Sequence, residues 1–179
     1  MKNAFLLATL ISCFNLLGQE TLPEKEAFKH HRITIAFGHT HVQRGLENSD
    51  QKWLILGSWG LDYDYWFNEK WALGFHNDIV LQNFAVERIN QDGPDGVLKR
   101  SYPLASSIVI AYKPLKHLAL VAGGGAEFSK EETLALIRAG IEYGWDLPNH
   151  WELSISVMND FKIDVYDSWM LALGVGKRF

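Results

Sequence analysis

The 179-residue sequence predicts an all-β fold, namely an eight-stranded antiparallel up-and-down transmembrane β-barrel. Three observations lead to this prediction. Eight stretches alternate between apolar side chains and small or polar ones, the connections alternate between tight and longer, and the aromatic residues fall near two levels. Each stretch is long enough to cross a bilayer as a tilted strand, which takes about 9–11 residues.

The alternation has period two, so one face of each predicted strand is apolar and the other is small or polar. The seventh stretch shows this most simply, because its odd positions from 151 to 157 are apolar and its even positions hold glutamate or serine. The predicted strands cover residues 32–42, 52–66, 70–86, 100–113, 117–128, 133–146, 150–159 and 168–179.

The connections differ in length according to the end of the barrel at which they lie. Residues 67–69, 114–116 and 147–149 are tight and contain the turn formers Asn or Pro. Residues 43–51 and 87–99 form longer, more polar connections at the opposite end. The second of these holds Asp92-Gly93-Pro94-Asp95-Gly96, which lacks the length and final glutamate of a calcium loop, so a plain turn is predicted there.

Aromatic side chains flank the aliphatic ones at both ends of the predicted strands. Two such rings are typical of side chains that meet lipid headgroups on either side of a membrane. The ring at the tight-turn end is predicted to hold Tyr63, Tyr65, Trp71, Tyr112, Tyr143, Trp145, Trp151 and Phe179, and the other ring Trp53, Phe84, Tyr102, Phe128 and Trp169.

Period two alone does not say which face points inward, since a soluble lipocalin-like barrel also alternates, with its apolar face inside. The composition of the small and polar face distinguishes a transmembrane barrel from a soluble one. A soluble exterior would be rich in Lys and Glu, whereas a narrow eight-strand lumen needs small side chains and a few paired charges. The face in question is mostly Ala, Gly and Ser, so we expect it to line the lumen.

The last stretch, residues 168–179, alternates and stops on Phe179. In this it resembles the closing strand of small bacterial outer-membrane β-barrels of the OmpA-barrel, OmpX and OmpW kind. The resemblance implies that Phe179 is an assembly signal and that the partners are outer-membrane lipid and the barrel-assembly machinery. Lys177 departs from the family pattern, which usually has an aromatic residue two positions before the end.

The N-terminus has the pattern of a secretory signal peptide, with Lys2 followed by an apolar core and then small and polar residues. We therefore predict a signal peptide at 1–19, a polar lead-in at 20–31 and the barrel at 32–179, with export to the bacterial outer membrane. The net charge of −4 excludes a basic footprint for nucleic acid. Cys13 is the sole cysteine and lies in the predicted signal peptide, so no disulfide is expected. No cofactor is expected either.

Charged side chains on the inward face should pair with one another, because an isolated buried charge costs several kcal/mol. We expect Arg138 to pair with Glu142 and Glu152 near the tight-turn end, and the resulting network to block a continuous channel. The predicted lumen network comprises Asp62, Asp64, His76, Asp78, Arg138, Glu142, Glu152 and Arg178.

Two further groups could carry chemistry. His39 and His41 lie on one face of a predicted strand, at a spacing suited to a shared metal ion, although two ligands do not make a site. His76 and Asp78 could form part of a hydrolytic triad with Ser58 on the adjacent strand. Both groups have simpler explanations, as interfacial histidines and as lumen polar residues.

Three functions remain open from the sequence. The first, which we favour, is a structural or surface-interaction barrel whose lumen is filled by its own side chains. The second is a binder or conduit for small apolar compounds, as OmpW-like barrels are thought to be. The third is a lipid-modifying enzyme, against which the lumen-facing position of Ser58 and His76 argues.

Overall fold

The computed structural model describes residues 28–47, 50–89, 96–163 and 165–179. The predicted signal peptide at 1–19, most of the lead-in and positions 92–95 of the predicted turn lie outside the described residues. Among the described residues, no helix is long and apolar enough to cross a membrane.

Within the described residues, eight antiparallel strands form a closed barrel in which each strand pairs with its neighbours and the last pairs with the first. The predicted fold class is confirmed. A short extra hairpin, β4–β5, lies at one end of the barrel. The strands are β1 His31–Glu47, β2 Asp50–Trp66, β3 Trp71–Val80, β4 Phe84–Glu87, β5 Val97–Arg100, β6 Leu104–Tyr112, β7 Leu118–Phe128, β8 Leu134–Leu147, β9 Trp151–Lys162 and β10 Asp167–Arg178.

The predicted third and fourth strands were too long, because the chain leaves the barrel between Val80 and Leu104 and builds the hairpin there. The return to the barrel passes through Tyr102, whose φ is 45°, and Pro103. A positive φ interrupts a strand, and proline has no N–H to donate to one. The end of the barrel that carries β4–β5 is called the hairpin end below, and the opposite end the tight-turn end.

The predicted long connection at 43–51 was also wrong, since β1 and β2 continue pairing to Glu47 and Asp50. A bulge between Val42 and Gly45 makes this possible by shifting the register, with Arg44 at a φ of 54°. Gly45 at the bulge also pairs with Val86, which brings the hairpin against β1. Bulges of this kind bend a strand and increase its twist.

The barrel is apolar outside and polar inside, as the small-residue face predicted. In β1, Arg32 and Thr34 are buried in the lumen, whereas Ile33 and Ile35 point outward and are 42% and 48% exposed. A soluble protein would not leave an entire belt of such side chains in water, so this exterior is suited to lipid. The soluble-barrel alternative is therefore excluded.

Aromatic residues flank the aliphatic belt at both ends, with one exception. Phe84 was predicted in the ring at the hairpin end, but it belongs to β4 and packs edge-on against Tyr166, with ring centroids 6.1 Å apart. The outward-facing aromatic residues at the tight-turn end include Tyr63, Tyr65, Trp71, Tyr143, Trp145, Trp151 and Phe179, and those at the hairpin end include Trp53, Tyr102 and Phe128.

We predict that Ile155→Arg, on the outward face of β9, lowers the free energy of unfolding by about 2–4 kcal/mol, because it places a cation against lipid. The matched change Ser154→Ala, one residue away and buried in the lumen, should be mild. Urea unfolding in lipid vesicles, followed by tryptophan fluorescence, measures both. A harmless Ile155→Arg together with a damaging Ser154→Ala would mean that the faces are inverted.

Candidate functional site

The lumen is the candidate site, because the charged side chains of the barrel converge there. At the tight-turn end they form what we call the turn-end network. Its centre is Arg32, which is 3% exposed and binds carboxylates from three other strands. The network consists of Arg32, Asp64, His76, Glu142, Glu152 and Arg178.

All the guanidinium nitrogens of Arg32 are engaged. Its Nε and Nη2 donate to Oδ2 of Asp64 at 3.0 and 2.8 Å. Its Nη1 donates to Oε1 of Glu142 at 2.7 Å and also to Glu152. A planar guanidinium with a fork of donors is suited to several carboxylates at once, which a single ammonium group is not.

Arg178 and His76 extend this network on either side. Arg178 donates from Nη2 to Oε2 of Glu152 at 3.0 Å, and Nε2 of His76 lies 3.0 Å from Oδ1 of Asp64. Gly74 makes room for the contact between His76 and Asp64, because a Cβ at position 74 would collide with the Asp64 carboxylate and approach His76. The predicted residue Asp62 lies at the edge, with its Oδ1 4.0 Å from Nδ1 of His76.

The middle network is centred on Arg138, which is 1% exposed. Its Nε and Nη2 donate to the two oxygens of Asp160 at 2.7 and 2.8 Å, and its Nη1 lies 2.6 Å from Oδ2 of Asp78. Asp160 is directly opposite Arg138 on the neighbouring strand β9, while Asp78 is on β3. Arg138 thus joins two sides of the lumen.

The predicted pairing of Arg138 with Glu142 and Glu152 is wrong. Residues four apart on a strand share a face but are separated by about 13 Å along it, which exceeds the reach of an ion pair. Glu142 and Glu152 lie closer to the tight-turn end, where Arg32 binds them.

The hairpin-end network is centred on the carboxylate of Glu127, which is 4% exposed. Arg100 of the hairpin donates to its Oε1 from Nε and Nη2 at 2.9 and 2.6 Å. The hydroxyl of Tyr166 donates to the same oxygen at 2.6 Å, and Nζ of Lys162 lies 3.2 Å from Oε2. The hairpin, the loop between β9 and β10, and the barrel wall therefore all contact the carboxylate of Glu127.

An apolar cluster covers this end of the lumen. It combines inward-facing residues of the barrel with residues of the hairpin and of the β9–β10 loop, so these segments fold over the opening. Its buried members are Val42, Leu56, Val80, Val86, Leu98, Leu134, Val165 and Tyr166.

Little space remains between the middle network and the hairpin-end network. A cavity of about 20 Å³ lies between the middle and hairpin-end networks, lined among others by Thr40, Glu127 and Arg138. A cavity of this volume has room for about one water molecule. Over the described residues, the lumen at this level is filled.

Comparison with solved structures identifies the architecture. Ail, the attachment invasion locus protein of Yersinia pestis, superposes with a TM-score of 0.53 and 17% sequence identity, over 85% of this chain and 100% of Ail. The outer-membrane protein OprG of Pseudomonas aeruginosa superposes with a TM-score of 0.52 and 14% sequence identity, over 86% of this chain and 98% of OprG. The chain has the fold of the small outer-membrane β-barrels. No family model matches its sequence, and no curated protein does.

The triad suggested by Ser58, His76 and Asp78 is not formed in this outer-membrane barrel fold. Ser58 lies opposite Val80 and His76 lies opposite Asp62, so the serine and the histidine are about four residues apart along the strands. The Ser58 hydroxyl is instead 2.6 Å from the hydroxyl of Thr40. Ser58 and His76 are therefore not placed to act together.

His39 and His41 face outward from β1 and do not converge on a common point with other ligands. The ring of His41 stacks on Trp169, with centroids 3.8 Å apart and planes within 4°. In the described part of the chain, no group of three or more His, Cys, Asp or Glu side chains is placed to hold a metal ion. His41 is accounted for by its contact with the aromatic ring.

The sequence analysis missed residues that the structure places in the lumen. Arg32 and Glu127 have the inward parity of their predicted strands, so the alternation alone could have found them. Asp160 lay one residue beyond the predicted end of its strand. Trp66, which is fully buried, also has the inward parity of its predicted strand, whereas Tyr166 lies between two predicted strands and carried no such signal.

We predict that Arg32→Met lowers the free energy of unfolding by about 3–5 kcal/mol, because three carboxylates lose the cation that they share. Arg178→Met is the matched control. Its partner Glu152 keeps Arg32, and Arg178 is partly exposed, so the loss should be less than half as large. Urea unfolding of the refolded barrels measures both, and equal losses would contradict the central position of Arg32.

Proposed function

We propose that this protein is a bacterial outer-membrane barrel with a structural or surface-interaction role and a lumen filled by its own side chains. The fold and the apolar exterior support the membrane location. Export through a signal peptide cleaved near residue 19 belongs to the same proposal. The tight turns would then face the periplasm and the hairpin the outside, as is usual for such barrels.

The observation that carries the proposal is the filling of the lumen. Arg32 and Arg138 each bridge carboxylates on different strands, and the hairpin covers the end above them. A conduit for small apolar compounds needs a continuous path through these levels. The ion pairs would have to break for such a path to open, at a cost of several kcal/mol each in a poorly hydrated space.

A surface-interaction role is supported by how firmly the hairpin is held. Arg100 connects it to Glu127 of the barrel wall and also donates from Nη1 to the backbone carbonyl of Glu132 at 2.7 Å. Arg88 forms an ion pair with Glu132. The hairpin buries one face and presents the other, including Val97, to the outside. A surface held in one conformation binds a partner with little loss of conformational entropy.

We predict that planar-bilayer recording of the refolded protein shows little or no steady conductance, because the charged networks close the lumen at successive levels. Large and stable single-channel steps in the unmodified protein would mean that the lumen is open. The pore interpretation would then replace this proposal.

A shortened hairpin provides a control for this measurement. Replacing residues 84–100 with a tight Gly-Asn-Gly turn removes the cover but leaves the turn-end and middle networks intact. The variant should fold and stay closed. If it alone conducts, then the hairpin, and not the networks around Arg32 and Arg138, closes the barrel.

We also propose that Phe179 acts in assembly. It closes the seam of the barrel, where its N–H donates to the carbonyl of His31 at 3.0 Å and its ring stacks on the His31 ring. Deleting Phe179 should lower the amount of folded, heat-modifiable barrel in outer-membrane fractions. Phe179→Tyr, which keeps the ring, is the control. Normal levels of folded barrel after the deletion would count against this role.

A further inference from the structure

The tight-turn end carries a second concave site, which is independent of the proposed function. A cavity of about 480 Å³ opens there, and we call it the tight-turn mouth. Its charged lining residues are Lys70, Lys113, Lys116, Arg178, Glu69 and Asp146. Four cationic side chains therefore face two carboxylates around one opening.

The lysines of the mouth are brought together by the barrel itself. The N–H of Lys113 donates to the carbonyl of Lys70 at 2.8 Å, so these two residues sit side by side where β3 begins and β6 ends. Lys116 follows in the adjoining turn. Like charges at directly opposed strand positions are unfavourable, and an anion between them reduces the repulsion.

The ammonium groups of these lysines lack acceptors. Among the described residues, none accepts a hydrogen bond from Nζ of Lys70 or of Lys116, and Nζ of Lys113 lies 5.4 Å from the centre of the Trp66 ring. The Glu152 carboxylate nearby already accepts from Arg32 and Arg178. An ammonium group has three donors, so the mouth holds more donors than its own acceptors satisfy.

Trp66 does not line the mouth but lies beneath two of its cations, Lys113 and Arg178. Its ring is fully buried, with the guanidinium carbons of Arg178 and Arg32 at 4.6 and 5.6 Å from its centre. The Nε1–H of Trp66 has no acceptor within the described structure. The buried ring thus holds Lys113 and Arg178 close together at the inner edge of the mouth.

Burial lowers the pKa of Lys113, since the ammonium group loses hydration, and the neighbouring Arg178 and Arg32 lower the pKa further against the opposing effect of Glu152. The carboxylates of Glu152 and Asp146 therefore do not fully compensate the burial of Lys113 and the nearby guanidinium groups. An anion bound in the mouth would offset both effects.

We propose that the tight-turn mouth binds a phosphate-bearing anion, held by Lys113 from within and by Lys70 and Lys116 at the rim. Lysine is a point charge suited to phosphate oxygens, and the volume is within the range of small-ligand sites. The phosphate can belong to a soluble compound at this end of the barrel or to the headgroup of a phospholipid in the adjoining leaflet. Both sources share the same recognition chemistry.

The test is isothermal titration calorimetry of the refolded full chain in an uncharged maltoside detergent, with inorganic pyrophosphate as the probe. The unmodified protein should bind pyrophosphate saturably at low salt. The double variant Lys70→Gln/Lys116→Gln should bind about tenfold or more weakly, because two charge-assisted contacts are lost. Both lysines are exposed, so the variant should fold, which heat-modifiability checks.

The matched control is Lys99→Gln/Lys130→Gln, which removes two exposed lysines at the hairpin end and should leave binding unchanged. No saturable binding by the unmodified protein would overturn the proposal, as would equal losses in the two double variants. Lys113→Met should weaken binding as well, as an independent check from inside the mouth.

Competition separates the two sources of phosphate. If short-chain phosphatidylglycerol displaces pyrophosphate and short-chain phosphatidylcholine does not, the mouth accepts an anionic headgroup. If neither lipid displaces it while the lysine variants still weaken binding, the site is for a soluble phosphate compound. Both results retain the mouth as a phosphate site. If a lipid displaces pyrophosphate equally well from the Lys70→Gln/Lys116→Gln variant, the lysines of the mouth do not hold the phosphate, and the proposal is overturned.

Discussion

Arg32 extends from β1 into the lumen and binds carboxylates on β2, β8 and β9, so a single side chain links four strands of the barrel. Asp64 is on the strand next to Arg32, whereas Glu142 and Glu152 reach it from the other side of the lumen. Each of these groups would be costly if buried alone, because water is scarce in the interior of an eight-strand barrel. Together they satisfy one another, and they join strands that do not pair through their backbones.

The same constraint explains why the inside and outside of this protein are reversed relative to a soluble barrel. The large apolar side chains that face lipid, such as Ile35 and Ile155, are not available to fill the lumen. Small residues, bonded charges and buried apolar clusters that include Val109 and Met158 fill it instead. Function is therefore expected at the two ends of the barrel, since the middle is occupied.

The two ends are chemically different. At the hairpin end, Arg100, Lys162 and Tyr166 converge on the single carboxylate of Glu127, and an apolar cluster covers them. Donors and acceptors are well matched there, which suits a fixed outer surface. At the tight-turn end the mouth is lined by four cationic side chains and two carboxylates, so donors are in excess there. An end with unmatched donors is suited to binding an anion, whereas the matched end is suited to holding its shape.

The sequence by itself determined which residues point into the barrel and which point outward, because the period of a strand is a local property of its backbone. It also determined the tight turns and the eight-strand count. It did not determine which inward charges meet. Arg138 bonds to Asp160 across a strand pair, and Glu142 goes to Arg32, which is distant in the chain. Those partners depend on the stagger between strands and on features such as the bulge after Val42. Period two fixes the face of a side chain, but its height in the lumen is set by register, which only the closed barrel specifies.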